Sequence, residues 1–213
     1  MNRSVYSLVL MDDVIRSVDE EAYRRGTSRS NLINQILAEH FSCQTPEMRM
    51  QEVFESVGSL VDSVFKVQQQ RSSSLMTLRT ALSYKYRPTI NYKVELERSP
   101  HEHIGTLRMM IRTQSSNLIE MFNAFLIRRI RFESALLESR GVQSYSCKLT
   151  DGCFTRALLN SGLNENDTAE AISMYLNNLN DSIQAYFSGH EQFTAQIAAL
   201  ENKYKKMLDR YII

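Results

Sequence analysis

The chain has 213 residues, 43% of them hydrophobic and 23% charged, with 7 glycines, 3 prolines and a formal net charge of +1. This composition excludes a disordered or collagen-like chain and points to a helix-rich fold, long enough for one large core or two smaller ones. The near-neutral charge means that any nucleic-acid binding must rest on local patches. No apolar run approaches the ~18 to 20 residues of a membrane span, and no secretory leader is expected. Cys43, Cys147 and Cys153 are scattered and odd in number, which reads as reduced thiols in a cytoplasmic protein.

Residues 4–10, SVYSLVL, alternate as a β-strand, with Tyr6, Leu8 and Leu10 on one face and Val5, Ser7 and Val9 on the other. Asp12 or Asp13 is expected to cap a helix in which Val14, Ile15, Val18 and Ala22 recur at helical spacing. Arg24 and Arg25 close its last turn, and Gly26 stands where a left-handed residue ends a helix. Ser28 is the natural cap of a second helix, whose inward stripe reads Leu32, Ile33, Ile36, Leu37 and Phe41. A lone strand followed by two helices lacks a pairing partner in its own neighbourhood.

The strand YSLVL, the acidic DD, the stripe of the first helix and the turn GTSRSNLI together resemble a ribbon-helix-helix DNA-binding domain of the MetJ/Arc/CopG type. The turn fits that family's G-x-S-[RK]-S pattern followed by an apolar pair, while Met11 stands where the family often has proline. The match spans roughly the first 43 residues. The resemblance implies that the strand pairs with the same strand of a second chain, so that dimerisation completes the fold, and that the ribbon enters the major groove. Carried over by position, the base-facing residues are Arg3, Val5, Ser7 and Val9, although the two valines could instead pack against the rest of the chain. Thr27, Ser28, Arg29 and Ser30 would hold a phosphate at the start of the second helix, unless Arg29 is simply solvated. Residues 1–46 carry five bases against six acids, so this module is expected to bind DNA weakly by itself.

SCQTPEMRMQ marks a boundary, dividing residues 1–46 from a C-terminal domain at 47–213. A long amphipathic helix is expected over about 47–70, with a stripe from Met48 to Phe65 that offers a surface for joining chains, and helical spacing resumes at Leu75, Leu78 and Leu82. TINYKVELER alternates cleanly and TLRMMIRT can return beside it, giving a β-hairpin over 89–113. A helix over about 115–139, a loop or short strands at GVQSYSCKLTDGCF, and helices over about 167–187 and 190–210 complete the chain.

The fold expected is therefore mainly α: an N-terminal ribbon-helix-helix and a helical C-terminal domain containing one hairpin. His101 and His103 in HEH have little claim to a metal, and Cys147 with Cys153 little claim to a redox pair. No cofactor is expected, and without a phosphate-cradling loop, HExxH or a triad no enzyme is expected either. From Arg79 to Arg112 seven bases face three acids, with Tyr84, Tyr86 and Tyr92 interleaved, which reads either as a second nucleic-acid or anion surface or as a solvated sheet face. The function expected is a homodimeric, sequence-specific DNA-binding protein, a transcriptional repressor whose partners are double-stranded DNA and itself, with higher oligomers open. The alternatives are an accessory DNA-binding protein of plasmid partition or conjugative transfer, and an antitoxin.

Overall fold

The structure is a computed structural model that describes residues 7–68, 72–143, 145–188 and 193–213. Three helices lead: α1 (Asp12–Arg24), α2 (Arg29–His40) and α3 (Pro46–Leu60). A short strand β1 (Lys66–Val67), then β2 (Leu75–Ala81), β3 (Thr89–Leu96) and β4 (His103–Arg112) follow. Helix α4 (Ser116–Ser139), strands β5 (Cys147–Thr150) and β6 (Cys153–Leu159), and helices α5 (Glu165–Ser188) and α6 (Phe193–Arg210) complete the order.

All six strands join one antiparallel sheet in the order β1-β2-β3-β4-β6-β5. The expectation of a mainly α protein, a ribbon-helix-helix plus a helical domain with one hairpin, is thereby corrected. The molecule is α+β, with the sheet in the middle of the chain and no strand among residues 7–10. The strands β3 and β4 do pair over the segment read as a hairpin, from Thr89 opposite Arg112 to Leu96 opposite Gly105, but they form the centre of a larger sheet. Leu75, Leu78 and Leu82 have helical spacing, yet the same stretch alternates Met76, Leu78 and Thr80 inward, and tertiary pairing selects the strand. The second hairpin turns at Asp151–Gly152, where Gly152 takes φ 66°, a left-handed conformation that glycine adopts without steric cost.

Helices α3 to α6 cover one face of the sheet. Met76, Leu78, Ile90, Tyr92, Val94 and Met109 meet Phe54 and Val57 of α3, Phe122 and Leu126 of α4, and Ile172 and Leu176 of α5 in one buried cluster. Helix α3 stops at Leu60, well short of residue 70, and its stripe is spent inside this core: Met50, Val53, Phe54 and Val57 are buried against the same chain. Of the stripe expected there for joining chains, Leu60 and Val64 alone are exposed. Thr45 caps α3 by accepting from the Met48 amide at 3.1 Å, with Pro46 in the first turn. The link from α2 to α3 is only Phe41–Thr45.

The α1–α2 pair has its own small core of Val18, Ala22 and Leu32, with Ile33 packed beside it. Met11, not Asp12 or Asp13, occupies the N-cap of α1, so both aspartates fall in the first turn beside the unpaired amides. Ser28 caps α2 as expected, accepting from the Asn31 amide at 3.3 Å.

Candidate nucleic-acid interface

Arg3 and Val5 lie outside the described residues. Ser7 and Val9 are exposed, and their backbone has no sheet partner among the described residues. At the start of α2, Thr27 is half-buried and its amide donates to the Ala22 carbonyl at 2.9 Å, while Ser28, Arg29 and Ser30 are exposed. The first-turn position of Arg29 and Ser30 leaves their amides without intrahelical acceptors, a geometry suited to an anion. The guanidinium of Arg29, however, makes a two-pronged pair with the Asp19 carboxylate of α1. Arg16, Arg24 and Arg25 are likewise paired, the first with Asp13 and the other two with Glu21. Hydrogen bonds from Arg24 and then Arg25 pull the Glu21 carboxyl down to about 2. The described arginines of this segment are thus all engaged with acids, a consequence of five bases sharing space with six acids that the count could signal but the partners could not.

Apolar side chains of the same segment remain uncovered. Leu8, Val9, Met11, Ile36, Leu37 and Phe41 are 45% to 103% exposed, so most of the stripe expected on α2 faces outward. A shallow apolar hollow of about 380 Å³ lies between α1 and α2, lined by Val14, Val18, Leu32 and Ile36 among others.

The sheet holds a different surface. Its face opposite the helices is open and carries, by register, Lys66, Arg79, Lys93, Arg108, Arg112 and Lys148. Glu95 is the one carboxylate among the described strand residues of that face. Lys93 stands directly opposite Arg108, and Arg108 opposite Thr155, which pairs with Lys148. Arg108 donates its Nε to the Cys153 sulfur at 3.1 Å, and the Nε of Arg79 is buried without an acceptor. None of the six forms an ion pair with a described carboxylate. At the sheet edge Lys66, Arg79, Arg87 and Arg112 line a cleft of about 780 Å³, with Asp62 and Asp181 also on its wall. Of the interleaved tyrosines, Tyr92 lies in the core, Tyr84 is half-buried, and only Tyr86 is exposed. The alternation of 91, 93 and 95, and of 108, 110 and 112, was the signal that these cations share a face.

A third polar cluster is sealed inside. The carboxylate of Glu133 on α4 pairs with Arg129, lies 3.4 Å from the Nε of Arg156 on β6, and accepts from Tyr175 at 3.0 Å and Tyr145 at 3.1 Å. Arg156 stacks 4.1 Å from the Tyr175 ring centre and Arg129 4.4 Å from that of Tyr204. Burial alone would raise the Glu133 carboxyl, but Arg129 and Arg156 hold it below its ordinary value. A cavity beside Arg129 is about 20 Å³, room for little more than a water molecule. This cluster ties α4 and α5 to the sheet.

Among the described residues no three His, Cys, Asp or Glu side chains come together as metal ligands. Cys147 and Cys153 stand on opposite faces of the sheet, which rules out a disulfide between them in this fold. No described helix is long and apolar enough to cross a membrane. Compared with family models, curated proteins and solved structures, the chain gives no match.

Proposed function

We propose that this chain is a homodimeric, sequence-specific DNA-binding protein that acts as a cytoplasmic transcriptional repressor. The observation that carries the reading is the capped α1–α2 pair, whose three-residue core is far too small for the apolar surface left around it. A second copy covers Ile36, Leu37 and Phe41, and the exposed stretch that holds Ser7 and Val9 enters the major groove. Ser7 then faces base edges, and the first turn of α2 anchors a phosphate. The Arg29–Asp19 pair is solvent-exposed, so exchanging Asp19 for a phosphate costs at most about 1 kcal/mol.

Selection of binding sites from random duplex DNA with the full chain tests this. The expected product is a site with two-fold symmetry, with Ser7→Ala changing the preferred bases. Arg29→Ala should weaken all duplexes alike, whereas Asp19→Asn, which frees Arg29, should tighten binding by up to about fivefold. Recovery of no enriched sequence would overturn the reading.

A further inference from the structure

We propose that the open face of the sheet is a second nucleic-acid surface, which grips the phosphate backbone of the duplex that the N-terminal segment reads. The proposal deepens the function argued above and rests on it for the choice of double-stranded DNA. Its own basis is a division of charge within the molecule. Every described arginine of the N-terminal segment is neutralised by a neighbouring acid, whereas six cations of the sheet face have no carboxylate partner among the described residues. Unpaired cations gathered on one face, with Glu95 as the single opposing charge there, hold a positive potential that water and salt alone must screen.

The dimensions select the ligand. From Lys66 on β1 to Lys148 on β5 is five strand spacings, about 24 Å, and from Arg108 to Arg112 along β4 is about 13 Å. A single phosphate or carboxylate cannot span such a patch; a polyanion can. The cleft at the sheet edge, where Arg79 and Arg112 meet Lys66 and Arg87, continues the patch rather than enclosing a small molecule, since it joins the open face. Single-stranded nucleic acid is held largely by aromatic rings under its bases, and the described strand residues of this face include none: Tyr92 points to the opposite side. Backbone contact without base contact remains, and it carries no sequence information.

The test uses the full-length protein and a labelled duplex of arbitrary sequence, titrated across a series of salt concentrations. Lys93, Arg112 and Lys148 are all exposed, so the triple variant K93Q/R112Q/K148Q removes charge without touching the core. Loss of three phosphate contacts should lower the slope of log affinity against log salt by roughly 2 to 3. The reverse change, Glu95→Gln, should strengthen binding to the same duplex. An unchanged slope in the triple variant, together with no gain from Glu95→Gln, overturns the proposal, as does tighter binding of a single strand than of the duplex. Saturable binding of inorganic phosphate at the cleft that abolishes duplex binding would also overturn it, assigning the cations to a small anion. Failure of the N-terminal reading looks different: site selection yields no preferred sequence, while the salt slope on arbitrary duplex still responds to the triple variant.

Discussion

Glu133 concentrates the electrostatics of the folded core in one side chain. Two guanidiniums and two tyrosine hydroxyls converge on it with no access to water, so removing its charge strands Arg129 and Arg156. Glu133→Gln should destabilise the protein by about 3–5 kcal/mol, measured by denaturant unfolding. Because the folded carboxyl titrates below its ordinary value of 4.5, the unfolded chain takes up the proton first. The stabilisation is complete above that value and is lost as pH falls through it towards the folded value, a dependence that Glu133→Gln should flatten. Nothing in RRIRFESALLESR distinguishes Arg129 from Arg128 and Arg131, since a buried ion cluster is made by long-range neighbours and leaves no periodic trace. Ser28 as a cap was legible, because capping is local chemistry; the Asp19 partner of Arg29 was not, because it comes from another helix.

At the scale of elements, backbone approach decides what the sheet tolerates. The register shifts between His103 and Gly105, and a Cβ on Gly105 would sit 2.0 Å from the Glu95 carbonyl oxygen. Gly105→Ala should therefore cost about 3 kcal/mol or more, since two backbones must separate. Gly58 of α3 is the contrast: a Cβ there meets only the Met76 methyl at an ordinary 3.6 Å, so Gly58→Ala should be neutral or stabilise by up to about 1 kcal/mol. Thermal or denaturant unfolding of the two variants side by side checks both signs. The helices beyond residue 115 were readable within a few residues from their apolar spacing, and β3 from its clean alternation. Strand β2 was not, because Leu75, Leu78 and Leu82 satisfy a helical template and only pairing with β3 breaks the tie. The hairpin of β5 and β6 hid behind short strands, although its Asp-Gly turn is a local signal.

For the molecule as a whole, the two cores differ in what they need. The sheet and its four helices close a large core within one chain, whereas α1 and α2 leave Ile36, Leu37 and Phe41 exposed, the residues that the proposed second copy covers. Ile36→Asp should give a monomer in sedimentation velocity while the unfolding of the sheet domain is unchanged; a dimer that persists would place the contact elsewhere. The division of the sequence near Pro46 was visible as a polar break, but the sheet between the helices was not, because its pairings join segments far apart in the chain. The link Phe41–Thr45 sets how these parts act together. Five residues extend no further than about 18 Å, so the end of α2 and the start of α3 stay within that reach of each other. On the proposed reading, once one of the two surfaces is engaged the other meets the same duplex at an effective concentration of about millimolar, and its rebinding is an intramolecular event. Release then becomes stepwise: either surface lets go and returns many times before both are free together, and a competing strand that captures the vacated surface hastens departure from the site.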